Sequence, residues 1–142
     1  MDTDLSLASL REKLDTLRRL DPDCRIFGAS GHRHRLNPVL SEAEVAAFEA
    51  RHGIVLPPGY RRFLLEVGDG GAGPWYGMEP LENALLADLD FRDREGRLTP
   101  SLPFPHTEAW FPEFDGDNGD KAAVEAFDAE VFDPKWLHGF LN

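Results

Sequence analysis

Residues 40–81, LSEAEVAAFEARHGIVLPPGYRRFLLEVGDGGAGPWYGMEPL, set two short capped helices before a glycine-rich loop and an aromatic segment. Ser41 and Glu44 form a capping box, in which each side chain satisfies an amide orphaned at a helix start. Leu40 and Val45 hold the staple positions that fix the entering chain. Val45, Phe48 and His52 recur at helical spacing, Arg51 and His52 suit the negative end of the dipole, and Gly53 suits a left-handed closing residue. A helix over 42–52 follows. Leu56-Pro57-Pro58-Gly59 resets the direction, because proline is tolerated in a first helical turn and blocks the helix before it. Tyr60, Phe63, Leu64 and Val67 then recur at i, i+3, i+4 and i+7, the buried stripe of a second helix closed by Gly68. Arg61, Arg62 and Glu66 fall on its solvated face. Trp75-Tyr76-Gly77-Met78 reads as a strand, whose alternation sends one of Trp75 and Tyr76 into the core and the other outward.

This ordered set closely resembles the SUKH superfamily, which includes the yeast cell-wall-assembly regulators of the Smi/Knr type and many bacterial immunity proteins. The carriers are Glu49, Gly53, Leu56-Pro57, the run from Tyr60 to Leu64, the run from Val67 to Pro74, and Tyr76-Gly77. Phe27-Gly28-Ala29 and the stretch from His32 to Pro38 resemble the family's lead-in, and Pro103-Phe104-Pro105, Trp110 and Asp133-Pro134 its later part, so the likeness covers residues 24–142. It implies an α+β fold, with helices packed on an antiparallel or mixed sheet. The expected organisation is one domain over 1–142, an N-terminal helix within 1–22 preceding the family-like region 24–142. Members commonly continue past a segment like Gly139-Phe140-Leu141-Asn142 into further strands, so a sheet lacking those C-terminal strands is expected, with an exposed edge. For function the likeness implies an immunity protein that occupies a cognate bacterial toxin, often a nuclease. The alternative is an intracellular scaffold or regulatory domain like the yeast proteins.

Composition sets bounds on both readings. A chain of 142 residues can bury about two-thirds of its unfolded surface as one domain, and 42% hydrophobic residues are globular rather than disordered usage. No apolar run approaches the roughly 20 residues of a membrane span, and Met1-Asp2-Thr3-Asp4 lacks the basic region of a signal peptide. Cys24, the lone cysteine, forms no internal disulfide and suits a reducing compartment. A soluble, cytoplasmic protein with no membrane partner is expected. The charge is uneven: residues 1–62 carry ten Lys or Arg against nine Asp or Glu, net +1, and residues 63–142 carry five against seventeen, net −12. Glu113, Asp115, Asp117, Asp120, Glu125, Asp128, Glu130 and Asp133 accompany the single Lys121 between positions 113 and 133. Such a field repels nucleic acid and attracts a basic protein; it also serves solubility.

Elsewhere, Leu7, Leu10, Leu14 and Leu17 line a helix over 4–20 that ends at Asp21-Pro22. Arg25-Ile26-Phe27 reads as a short strand and Gly28 to Pro38 as a polar loop. Leu81, Leu85 and Leu89 predict a helix over 81–89, the prolines of 90–110 an irregular connection, and Val124, Phe127 and Val131 an amphipathic helix over 122–132.

Each catalytic or ligand motif fails on spacing or context. Gly68, Gly70 and Gly73 spell G-x-G-x-x-G, but that fingerprint leaves a strand and opens a helix, whereas this one leaves a helix. A calcium loop starting at Asp115 would need glycine at its sixth position and Glu at its twelfth, where Asp120 and Ala126 stand. His32 and His34 lack a third zinc ligand at any recognised spacing, and Ser30 misses a nucleophile elbow by one position. The expectation is a non-enzyme with no catalytic, cofactor or metal residues. Asp69, Trp75, Tyr76, Glu113, Asp115, Asp117 and Asp120 are the candidate partner-binding residues: an aromatic on a rigid segment beside a glycine loop, and the carboxylates that would stand where a nuclease holds phosphates.

Overall fold

The computed structural model describes residues 7–86, 98–110, 112–131, 133–136, 138, 139 and 141. The expected helices over 4–20, 81–89 and 122–132 and the connection over 90–110 each run partly into residues outside that set. Two compact units divide the chain, Met1–Glu82 and Asn83–Asn142. The first holds α1 (Leu7–Leu20), α2 (Ala29–His32), α3 (Glu42–His52) and α4 (Pro58–Glu66). A 3-10 turn, Leu81–Leu85, leads into the second, which holds α5 (Lys121–Val131) and a 3-10 turn at Pro134–Trp136.

The punctuation of the central stretch is built as its chemistry dictates. Ser41 Oγ accepts the Glu44 N–H at 3.2 Å while the Glu44 carboxylate accepts the Ser41 N–H at 2.7 Å, and Gly53 closes α3 with φ 63°. The α3 and α4 helices pack on one another. Val45 and Phe48 from α3, Leu64 and Val67 from the end of α4, and Leu56 between them are buried, with Tyr60 and Phe63 half-buried. The link between the two helices is fixed by one side chain. Glu49 Oε1 accepts the Leu56 N–H at 2.8 Å, and its Oε2 takes Arg61 Nε at 3.4 Å. Arg61 also pairs with Glu42, so it ties α4 to both ends of α3 instead of resting in solvent. Arg62 does lie on the exposed face, paired with Glu66 one turn on.

The described residues hold no sheet. Among the described residues there is no strand, so helices packed on a sheet is corrected to helices joined by irregular segments, with only isolated bridges at Leu36 to Gly71, Gly71 to Met78 and Thr99 to His138. Each expected strand is broken by a local conformation that extended pairing cannot hold. Trp75 at φ 53° and Gly77 at φ 95° are left-handed, turning Trp75-Tyr76-Gly77-Met78 back on itself. Asp21 accepts the amides of Arg25 and Ile26 at 2.7 and 3.2 Å, which curls Arg25-Ile26-Phe27 into a bend. The polar lead-in contains the short α2 rather than loop alone.

In the second unit α5 has no fully buried residue. Phe127 lies 5.2 Å, ring to ring, from Phe114. The His106 ring stacks on Trp110 at 4.6 Å and its Nε2 meets the Trp136 carbonyl at 3.0 Å, so Phe104, Trp110 and Trp136 gather around one imidazole. The Gly139 N–H donates to the Thr99 carbonyl at 3.2 Å. No described helix is long and apolar enough to cross a membrane.

Candidate interaction surface

Gly71 and Met78 exchange two backbone hydrogen bonds of 2.8 Å, closing a loop whose tip is a turn in which the Gly77 N–H donates to the Pro74 carbonyl at 3.0 Å. Trp75 occupies the second position of that turn. A left-handed residue with a Cβ costs about 1–2 kcal/mol, so surrounding contacts must hold it. They do so from two sides. A Cβ on Gly28, itself at φ 81°, would lie 1.8 Å from the Trp75 carbonyl oxygen, and a Cβ on Gly77 would lie 2.2 Å from the Gly71 carbonyl oxygen and 3.0 Å from the His32 ring. Backbone therefore packs directly on backbone, and the side chains have nowhere to go but out. Trp75 and Tyr76 are 75% and 76% exposed, so both face solvent, where strand alternation would have buried one. Phe27, 66% exposed, sets its ring 5.2 Å from that of Tyr76, with exposed Ile26 beside it in the chain.

Behind this surface the chain is fastened by a buried hydrogen bond. His34 is 3% exposed and its Nε2 lies 2.9 Å from Asp21 Oδ2, joining the end of α1 to the lead-in. The His34 N–H in turn donates to His32 Nδ1 at 3.1 Å, so both imidazoles have structural partners. The Arg25 amide first, and then the His34 ring, hold the Asp21 carboxyl below its usual value. A carboxyl with a depressed folded value adds stability above its unfolded value, and that stability goes as the pH falls through the folded one. Wild type should therefore lose more stability than Asp21→Asn between pH 7 and pH 3, in denaturant titrations at both values. Parallel losses would remove Asp21 from the account.

The remaining candidates divide by role. Asp69 Oδ1 accepts the Leu81 N–H at 2.7 Å and its carbonyl accepts from Asn37 at 2.8 Å, so it organises the glycine loop. Burial, followed by the negative charge of Asp69, pushes the Tyr60 phenol above its usual value. In the second unit Glu113, Asp115, Asp117 and Asp120 are all exposed. Asp117 Oδ1 accepts the Gly119 N–H at 2.9 Å, and Asp120 Oδ1 accepts the amides of Ala122 and Ala123 at 3.1 and 3.2 Å. Asp120 is thus the N-cap of α5, a role that Asp commonly fills. Glu130 and Asp133 both reach Lys135. Among the described residues no three His, Cys, Asp or Glu side chains are arranged to hold a metal ion.

Two parts of the surface escaped sequence reasoning. Ile26 and Phe27 were hidden in an expected strand, although a glycine following an aromatic was a signal of close backbone approach. Arg33 and Arg35 were hidden by their histidine neighbours: the sequence His32-Arg33-His34-Arg35 alternates, and burying His34 turns both arginines outward.

Residues 39–137 match the SMI1 / KNR4 family (SUKH-1). Neither a curated protein nor a solved structure matches the chain. The match opens at Val39, so it takes in the capped helices, the glycine loop and the aromatic turn, while the lead-in that braces the turn lies before it.

Proposed function

Because the chain belongs to the SMI1 / KNR4 family (SUKH-1), we propose that it is a non-catalytic binding protein whose aromatic turn docks on a cognate bacterial toxin and neutralises it by direct contact. The observation that carries this reading is the pair Trp75 and Tyr76, three-quarters exposed on a backbone that Gly28 and Gly71 brace. Rigid exposed aromatics are the side chains from which interface energy is drawn. The acidic residues of the second unit would act earlier, steering a basic toxin, such as a nuclease, into encounter. The lone Cys24 fits a cytoplasmic setting, where such a toxin would be met.

The test separates anchor from steering. Trp75→Ala and Tyr76→Ala should each leave association nearly unchanged and raise the dissociation rate of the cognate toxin by about thirtyfold, the scale of a 2 kcal/mol hot spot. Glu113→Lys, Asp115→Lys and Glu125→Lys together should slow association, most at low salt, with the melting temperature held. Asp117 and Asp120 stay native in that variant because each holds local backbone. If wild type fails to protect cells that express the toxin, the immunity reading falls and the domain is a scaffold for other partners.

A further inference from the structure

The aromatic turn forms one wall of a cleft of about 550 Å³, lined by His32, Arg33, Arg35, Asn37, Tyr76 and Glu79 among others. We propose that this cleft takes an acidic segment of the partner protein, its carboxylates on Arg33 and Arg35 and an apolar side chain against Tyr76 and Phe27. The inference rests on the reading of the turn as the docking anchor.

Three observations converge on it. Among the described residues neither the Arg33 nor the Arg35 guanidinium has a hydrogen bond or ion pair, whereas Arg11, Arg18, Arg51, Arg61 and Arg62 all do. Arginines on a protein surface with this many acids are ordinarily engaged, and an unengaged planar fork is suited to a carboxylate. The two are also held firmly. The Arg35 N–H donates to the His32 carbonyl at 2.9 Å, its carbonyl accepts the Ala72 N–H at 2.7 Å, and buried His34 between them is fixed on Asp21. Finally, Arg33 and His34 are consecutive left-handed residues, at φ 49° and 54°, and Trp75, next in the chain to the lining Tyr76, is another. Non-glycine residues in that region carry a cost that persists where a site needs it.

Charge decides the occupant. Two guanidiniums meet a single carboxylate, Glu79, in the cleft, so the complementary surface is negative. Single-stranded nucleic acid also uses basic and aromatic side chains together, but it needs many phosphates neutralised, and this chain carries net −11. A short run of partner carboxylates needs only the two arginines, although Asp21 and Asp23 stand on their far side. The acidic second unit attracts the partner's body as a whole, so a basic toxin with one acidic segment satisfies both.

The probe is a fluorescein-labelled peptide of about eight residues in which Glu and Phe alternate, followed by anisotropy, with each Glu replaced by Lys in the control. The Glu peptide should bind and the Lys peptide should not. Arg33→Glu with Arg35→Glu should weaken it by about tenfold or more, and the paired lysine variant should recover part of that through charge without the fork. Should the double variant melt early, Arg35→Glu alone carries the test. Equal binding of both peptides, or binding indifferent to the arginines, overturns the proposal; if Trp75→Ala still weakens toxin capture, the turn survives as an anchor without an acidic preference. Oligo-dT binding as tightly as the Glu peptide would assign the cleft to nucleic acid. Self-association of wild type in sedimentation that disappears in the double variant would assign it to the acidic run of a second copy. Both results overturn the proposal.

Discussion

Leu64→Ala should remove about 2–5 kcal/mol of stability, the sum of lost transfer energy and an unfilled cavity. Leu64 is 1% exposed, belongs to the α4 face that meets α3, and its carbonyl accepts the Leu40 N–H at 2.9 Å, so the walls around it are pinned and collapse poorly. That is a large part of the roughly 5–15 kcal/mol of an ordinary domain. Urea titration gives the value directly. A change below about 1 kcal/mol would mean that α3 and α4 do not share this core. Phe63→Ala, one position earlier, removes a half-buried ring and should cost less than full burial implies.

Gly28→Ala should be nearly as damaging, for a different reason. The added methyl would sit 1.8 Å from the Trp75 carbonyl oxygen, on backbone already at φ 81°, and neither atom is at the flexible end of a side chain. Strain of this kind costs about 1–3 kcal/mol for the dihedral alone, and relief requires the turn to move. Stability and partner capture should therefore fall together, although Gly28 contributes no side chain to any partner. Gly31→Ala is the matched control, since its methyl would meet nothing within 4 Å. Thermal melts paired with toxin-binding rates read both effects. Should Gly28→Ala bind as wild type does, the brace under the turn has no part in binding.

What could be read from the sequence was what neighbours in the chain settle. Ser41 and Glu44 are three residues apart, so the start of α3 was legible to the residue, as was its close at Gly53. The α4 stripe was legible in register but not in degree, because Tyr60 and Phe63 are limited by what covers them rather than by their spacing. The turn at Trp75 carries the residue pattern of a strand. Its left-handed backbone packs directly against Gly28, far away in the chain, and tryptophan itself favours extended conformations. Asp120 shows the converse: within an acidic run it reads as charge, while its place directly before α5 marks it as a cap. Resemblance brought the family within reach, and with it the expectation of a sheet, which the left-handed residues of the described segments do not permit.

The exposure of Trp75 also makes the domain an optical instrument. Of the three tryptophans, Trp110 and Trp136 lie against the His106 ring at 4.6 and 5.8 Å, while the Trp75 indole stands mostly in water. The most solvated indole emits furthest to the red and is quenched most readily, so that part of the emission comes chiefly from the turn. Acrylamide or iodide accessibility is then weighted toward that loop in the unlabelled protein, with Trp110 at 38% exposure contributing less. Occupancy of the surface can be followed by the colour of its own fluorescence, before any partner has been given a name.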